Sequence, residues 1–319
     1  MDCLHSLPEG VEQLPELLRE AREAYARQDP AAVPDTDGLV TRIQLGQFEG
    51  RWIQHDGRAR GLVVWTSVKE VGREVVFWYS SAGGDSVAGW AALLRAALEA
   101  GPVRLIPGEL PGVPPEQEDQ LLTGAGFARY HRYELSLPAE AVLPWTSQPL
   151  DPIRPVRESD QAGLAHLTRI AYAESLDRYL FQTAADPAAD AREQIEILFS
   201  GQYGPIDAHA SNVWEEGEVL RGALLVTRRE SGALIISVMV DPTVQGQGIG
   251  RRLLVRAIES LRAEGEARIC LNVTGGNAPA IHLYRSLGFR RSLGPKFGWY
   301  SRRLIPVPPP RVEPEEECL

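Results

Sequence analysis

The chain has 319 residues, and at roughly 100–200 residues per domain this length predicts two domains that can each bury a core. It carries 33 Lys and Arg against 43 Asp and Glu, a formal net charge of -10, which disfavours a nucleic-acid partner bound through its phosphates. No apolar run approaches the ~20 residues that span a bilayer and no secretory pattern opens the chain, so we expect a cytoplasmic protein without a membrane partner.

The first half alternates strand-like and helix-like patterns. A strand-turn-strand pattern spans 51–68 and turns at Asp56-Gly57, and further fold-like segments lie at 77–81, 90–100 and 124–137. Proline-rich residues at 137–152 then predict an exposed linker, because proline fixes φ and removes a backbone donor.

The second half shows clearer periodicity. Its predicted elements are strand 153–156, helices 159–173 and 191–199, strands 219–227 and 234–240, helix 250–264, strand 268–273 and helix 278–287. The helix at 250–264 has its apolar residues on one stripe, at Leu253, Leu254, Ala257, Ile258 and Leu261.

The two halves resemble each other. Four landmarks recur at nearly constant spacing: Gly57 and Gly217, Gly61 and Gly222, Leu93 and Leu253, and Gly126 and Gly288. This spacing predicts an internal duplication, although generic strand-helix patterns can also fall into register by accident. The predicted organisation is a domain at 1–136, the linker at 137–152, a domain at 153–304, and a Pro- and Glu-rich tail at 305–319.

A glycine-rich segment at 240–251 joins a predicted buried strand to the first turn of a helix. A helix start exposes unpaired N–H groups and the positive end of the helix dipole, which together attract phosphate oxygens. Gly246, Gly248 and Gly250 would let the backbone approach such an anion closely. The segment lacks the Lys-Ser/Thr of a Walker loop, and a hairpin precedes it in place of the βαβ unit that dinucleotide sites require.

Two motifs carry a family resemblance. Gln245-x-x-Gly248-x-Gly250, after a strand that ends in Val-x-Val-Asp-Pro, resembles the acetyl-CoA pyrophosphate loop of the GNAT N-acetyltransferase superfamily. Asn277-Ala-Pro-Ala280-Ile-His-Leu-Tyr284, followed by Gly288-Phe289, resembles its second hallmark. The resemblance implies an α/β (α+β) fold of two tandem GNAT-like domains, each a mixed, mostly antiparallel twisted sheet flanked by helices. The tandem arrangement is similar to that of mycothiol synthase.

The resemblance also implies site residues, with acetyl-CoA as cosubstrate. Tyr284 would be the general acid that protonates the departing CoA thiolate. The implied acetyl-CoA contacts lie on the signature strand, the glycine loop and the following helix: Val238, Met239, Val240, Gln245, Gly246, Gln247, Gly248, Ile249, Gly250, Arg251, Asn277, Ala280 and His282. On the strand only backbone groups are implied, because Val238 and Val240 are ordinary core residues in any buried strand.

Some assignments have a plainer alternative. Tyr284 is also compatible with a packed aromatic at a helix end, and His282 with a surface position. Glu174, Asp207 and Glu215 lie in stretches that can flank an acceptor cleft, but none matches a family motif, so the general base is not assigned. Three cysteines and six scattered histidines show no ligand spacing, which predicts neither a disulfide scaffold nor a metal site.

The first half lacks the residues that carry the chemistry. Trp90 aligns with Gly250, where an indole would enter the pyrophosphate site, and Pro115 and Leu122 align with Asn277 and Tyr284. We therefore expect 1–136 to be a degenerate GNAT-like domain that binds no acetyl-CoA.

The sequence thus predicts an acetyl-CoA-dependent N-acetyltransferase that acts on a primary amine of a small molecule or peptide by direct attack on the thioester. The alternatives are a non-catalytic acyl-CoA-binding or interaction module, and a mycothiol-synthase-like transferase that acts on an amino-thiol sugar. The acceptor, the acyl-chain preference and the oligomeric state stay open.

Overall fold

A computed structural model of the chain describes residues 3–28, 33–68, 70–81, 86–108, 110–138, 141, 152–229, 232–292 and 296–306. The chain divides into two compact units: unit 1 is Met1–Tyr130 with Phe297–Val307, and unit 2 contains His131–Lys296. The predicted domains are continuous stretches, whereas unit 1 takes in a segment from near the end of the chain. Most of the predicted linker at 137–152 and of the predicted tail at 305–319 lies outside the described residues.

Both halves of the chain contain strands and helices. The strands are β1 (Cys3–Ser6), β2 (Glu49–His55), β3 (Arg58–Val68), β4 (Gly72–Ser80), β5 (Val103–Pro107), β6 (Phe127–Pro138), β7 (Ile153–Pro155), β8 (Asn212–Glu216), β9 (Val219–Arg229), β10 (Gly232–Val240), β11 (Arg268–Thr274), β12 (Arg290–Arg291) and β13 (Lys296–Ser301). The helices are α1 (Pro15–Gln28), α2 (Thr36–Gln44), α3 (Ser86–Ala100), α4 (Pro115–Gly124), α5 (Gln161–Ala171), α6 (Leu176–Leu180), α7 (Pro187–Phe199), α8 (Ile249–Ala263) and α9 (Ala278–Ser286).

Unit 1 is a mixed sheet with helices packed on it. Its strands lie in the order β1-β2-β3-β4-β5-β13-β6, where the first residues of β6 belong to this unit. The pairing of β4 with β5 is parallel, and the pairings among β1 to β4 and of β5 with β13 are antiparallel. Helices α1 and α3 contact β3 and share one core with it, in which Trp52, Trp65 and Trp90 are at most 1% exposed.

Unit 2 has helices on both faces of its sheet. The strand order is β6-β11-β10-β9-β8-β7, and the pairing of β10 with β11 is parallel while the others are antiparallel. Alternate residues of β9 point to opposite faces: Leu224 and Val226 join the core under α8, and Ala223 and Leu225 join the core under α5. The apolar stripe predicted for α8 is confirmed, because all five of its residues are buried.

The internal duplication appears as one repeated packing contact. A Cβ built on Gly222 of β9 would lie 3.0 Å from the Leu253 side chain of α8. In unit 1, a Cβ on Gly61 of β3 would lie 3.3 Å from the Leu93 side chain of α3. In each unit a glycine on a strand therefore lets a leucine of the packed helix approach the sheet closely. This contact explains why the glycine and the leucine recur together in the two halves.

Candidate functional site

The parallel strands β10 and β11 separate at one end. They pair only at Ala233–Ile235, although β10 continues to Val240 and β11 to Thr274. The register of β10 against β9 shifts between Ile235 and Ser237, and a bulge of this kind bends the strand that carries it. Beyond this bulge the edge of β10 is no longer paired to β11, so its backbone groups line a gap.

The connection from β10 to α8 is anchored at its start by Asp241. This carboxylate accepts hydrogen bonds from the Thr243 backbone N–H at 2.9 Å, the Thr243 hydroxyl at 2.7 Å and Arg221 Nη1 at 2.7 Å. The bonds from Thr243 and the ion pair with Arg221 stabilise the charged form and lower the Asp241 pKa to about 2. The loop after Asp241 therefore begins from a fixed point.

The following turn presents unpaired backbone amides at a helix N-terminus. Within the described part of the chain, no backbone N–H from Gln245 to Arg251 donates to a protein acceptor. Gly246 and Gly248 have φ of +79° and +80°, a left-handed conformation that glycine adopts without a Cβ penalty. A Cβ built on either would have no described atom within 4 Å. Open space, free donors and the positive end of the fifteen-residue α8 together suit a diphosphate.

The other predicted loop residues take different positions. Gln245 to Gly248 are exposed, whereas Ile249, the first residue of α8, is buried. The Gln245 side chain donates to the Val240 carbonyl at 3.2 Å, which ties the start of the turn to β10. Arg251 Nη1 donates to Ser286 Oγ at 2.9 Å and links α8 to α9.

The strand residues fit the expectation that only their backbone is available. The Met239 side chain is buried and accepts a contact from the Thr168 hydroxyl at 3.1 Å. The side chains of Val238 and Val240 are partly buried and pack against the core under α8.

The second motif forms helix α9. Asn277 caps it, with its side-chain oxygen accepting from the Ala280 backbone N–H at 3.3 Å. The Asn277 side-chain NH₂ has no hydrogen-bond partner among the described residues. Ala280 is partly buried. His282 is exposed, which agrees with the surface position considered for it from the sequence.

Tyr284 lies in α9 with its ring in the core of unit 2. The residue is 8% exposed, and its ring packs edge-on against Phe289 at 6.1 Å between centroids. Its hydroxyl has no hydrogen-bond partner in the described chain. The hydroxyl oxygen is not fully buried, so it reaches solvent-accessible space. Burial, with smaller effects from Tyr172 and Asp177, raises the Tyr284 pKa above its usual value, and the phenol therefore stays protonated at neutral pH.

The structure adds polar residues that the motifs did not indicate. Tyr172, just after α5, shares a hydrogen bond of 3.1 Å with Ser237 on β10. Asp177, in α6, accepts a hydrogen bond from the Thr274 hydroxyl at the end of β11. Burial raises the pKa of Tyr172, with Asp177 as a further charge acting on it. No sequence motif marked these residues, although Glu174 of the same stretch was considered.

Of the three carboxylates that the sequence offered as flanking the acceptor cleft, two are paired with arginines and the third is exposed. Asp207 is bonded to Arg228 Nε at 2.5 Å and to the backbone of His209. Glu215 is bonded to Arg154 Nε at 2.5 Å, which lowers the Glu215 pKa. Glu174 is exposed and follows α5.

In unit 1 the aligned residues are packed in the interior. Trp90 is fully buried against Trp78, with ring centroids 4.9 Å apart, and Leu122 is fully buried in α4. Pro115 begins α4, so it offers neither the side-chain amide nor the backbone N–H that Asn277 has. The segment before α3 lies outside the described residues.

The described residues form neither a membrane-spanning helix nor a metal-binding cluster. No helix among the described residues is both long and apolar enough to cross a bilayer. In the same ranges, no three His, Cys, Asp or Glu side chains converge as a metal site.

Known proteins are similar to the part of unit 2 that contains the glycine loop and α9. Residues 169–289 match the acetyltransferase (GNAT) family model. The [ribosomal protein bS18]-alanine N-acetyltransferase of Escherichia coli K12 is 45% identical over 60 residues, 19% of this chain and 40% of that protein. A mycothiol acetyltransferase of Saccharomonospora viridis is 48% identical over 52 residues, 16% of this chain and 17% of that protein. The chain thus spans well under half the length of either relative.

Solved structures match nearly the whole chain. A GCN5-related N-acetyltransferase from Sphaerobacter thermophilus has a TM-score of 0.58 at 16% identity and covers 96% of this chain and 97% of its own. A tandem GNAT protein from the clavulanic acid biosynthesis pathway has a TM-score of 0.54 at 16% identity. That match covers 94% of this chain and 98% of the other. The separated strands and the amide-lined loop define a GNAT-type fold. Residues 169–289 thus match the GNAT family, and the chain as a whole shares the fold of solved GNAT proteins, including a tandem GNAT protein.

Proposed function

We propose that this protein is an acetyl-CoA-dependent N-acetyltransferase whose active site lies in unit 2. The observation that carries the proposal is the run of unpaired amides from Gln245 to Arg251 at the start of α8. A diphosphate bound there would direct the remaining arm of acetyl-CoA along the free edge of β10. The thioester would then lie in the gap between β10 and β11, near Tyr284.

The proposed reaction is a direct transfer. The neutral amine nitrogen attacks the thioester carbonyl carbon, the C–S bond breaks, and the thiolate takes a proton from the Tyr284 hydroxyl. The new amide nitrogen releases one proton to solvent, and the Tyr284 phenolate takes one back from solvent. Burial makes this phenol a weaker acid, but the same apolar surroundings raise the pKa of the departing thiol, so the donor and the acceptor are shifted in the same direction.

The acceptor class is a primary amine of a small molecule or a peptide. The two curated relatives are named as a [ribosomal protein bS18]-alanine N-acetyltransferase and a mycothiol acetyltransferase, and they match this chain over 60 and 52 residues. An amino-thiol sugar is the more specific candidate, because one of these relatives is named a mycothiol acetyltransferase.

Calorimetry and a turnover assay test the proposal together. We expect one acetyl-CoA to bind per chain, and CoA release with at least one member of a panel of polyamines, amino acids, aminoglycosides and peptide N-termini. Saturable binding without turnover across the panel would favour the acyl-CoA-binding module. Failure of acetyl-CoA to bind would refute the proposal.

A further inference from the structure

Two side chains, one just after α5 and one in α6, contact the two separated strands of unit 2. The Tyr172 hydroxyl bonds Ser237 on β10 at 3.1 Å, and the Asp177 carboxylate accepts from the Thr274 hydroxyl on β11. Both strand residues lie beyond the last pair that joins β10 to β11. Tyr172 and Asp177 therefore form one wall of the gap in which the proposed thioester would lie.

The two oxygens of the Asp177 carboxylate differ. Oδ1 accepts both the Thr274 hydroxyl and Arg132 Nη1, the latter in a single contact of 3.4 Å. Oδ2 has no partner among the residues that the structure describes, although the side chain is only 18% exposed. A carboxylate oxygen withdrawn from water gains from a donor, and a cationic donor gives the strongest hydrogen bond.

The surroundings of Asp177 supply one positive charge and two phenols. The Arg132 guanidinium carbon lies over the Phe181 ring, 4.5 Å from its centroid, in a cation–π contact. Burial raises the pKa of both phenols, Tyr172 and Tyr284, and the negative charge of Asp177 raises both further. The Phe181 ring is 48% exposed and gives this side of the gap an apolar surface.

We propose that Asp177 binds the protonated amine of the acceptor through Oδ2, so that the protein selects alkylamines that arrive as ammonium ions. The bound ammonium must release one proton to solvent before its nitrogen attacks the thioester. This inference rests on the proposed function. Arg132 and Thr274 hold Oδ1, which fixes the direction in which Oδ2 points. Asp177 is thus an acceptor-binding residue, and its role depends on its charge.

The test uses two CoA thioethers of equal size on the full chain. S-(2-aminoethyl)-CoA carries an ammonium two carbon atoms from the sulfur, and S-propyl-CoA carries a methyl group in its place. By calorimetry at pH 7, we expect the wild-type protein to prefer the ammonium compound by about tenfold. Asp177→Asn, which keeps the Oδ1 acceptor, should lose this preference and bind S-propyl-CoA as the wild type does. Glu174→Gln removes the same charge three residues away and should keep the preference.

The outcomes separate the two proposals. If neither thioether binds the wild-type protein, the proposed function fails. If both bind and Asp177→Asn keeps the wild-type preference, the role of Asp177 is wrong. If Asp177→Asn also loses S-propyl-CoA, Asp177 only supports the fold and this inference is overturned. For any alkylamine that the wild type acetylates, Asp177→Asn should raise KM for the amine about tenfold and leave KM for acetyl-CoA unchanged.

Discussion

Two glycines of the same loop should respond in opposite ways to an added methyl group. Gly248 has φ +80°, a conformation in which an L-residue costs about 1–2 kcal/mol, partly offset by the lower entropy of the unfolded alanine chain. Gly250 lies inside α8 without positive φ, and its Cβ would make ordinary contacts at 3.5 Å with Leu283 and 3.6 Å with Val240. There alanine is favoured over glycine by about 1 kcal/mol.

Gly248→Ala should therefore lower the free energy of unfolding by about 1 kcal/mol, and Gly250→Ala should raise it by a similar amount. For a unit of this size the two variants should differ in Tm by about 4–8 °C in a thermal melt. The Gly248 methyl group would also enter the open space in front of the loop amides, where a phosphate oxygen needs a donor at about 2.9 Å.

Acetyl-CoA affinity separates the ligand effect from the stability effect. By calorimetry below both melting transitions, Gly248→Ala should weaken binding about tenfold or more, while Gly250→Ala stays within about threefold of the wild type. Wild-type affinity in a destabilised Gly248→Ala variant would refute the assignment of this turn to the diphosphate.

Three further substitutions test other parts of the molecule. Tyr284→Phe should lower kcat about 100-fold and leave acetyl-CoA affinity unchanged, and a wild-type rate would remove the acid assignment. The Asp241 pKa is lowered, so its contribution to stability should be present above about pH 4 and lost as the pH falls towards 2. The difference in unfolding free energy between wild type and Asp241→Asn should shrink over this range, and a constant difference would contradict it. Trp90→Gly should empty a core position at a cost of about 3–5 kcal/mol and still show one acetyl-CoA per chain. Two acetyl-CoA per wild-type chain would contradict the degenerate role of unit 1.

The fold was most predictable where apolar spacing is regular. The helix predicted at 250–264 is Ile249–Ala263, because its stripe of five apolar residues fixes both its type and its buried face. Helix Leu176–Leu180 was not predicted, since five residues are too few for a periodic pattern. The helix predicted at 191–199 begins earlier, at Pro187, where Asp186 caps it.

The candidate site divides in the same way. The loop and Tyr284 were predictable because each belongs to a motif with a fixed local order. Asp177 and Tyr172 were not, because their partners are 97 and 65 residues away in the chain. Only the packing of α5 and α6 against the separated strands brings these groups together, and no local spacing encodes that packing.

The placement of β13 limits how the protein can be divided. This strand follows all of unit 2 in the chain, yet it pairs with β5 through Trp299 and Ile106 in unit 1. A fragment of 153–304 would contain β13 without that neighbour, and it would lack the part of β6 that pairs with β11. Truncation at the predicted boundaries would thus expose unpaired strand edges in both fragments, a known cause of aggregation. The predicted boundaries thus differ from the units of the fold, because each unit takes a strand from outside the stretch predicted for its domain: β13 in unit 1 and the later part of β6 in unit 2.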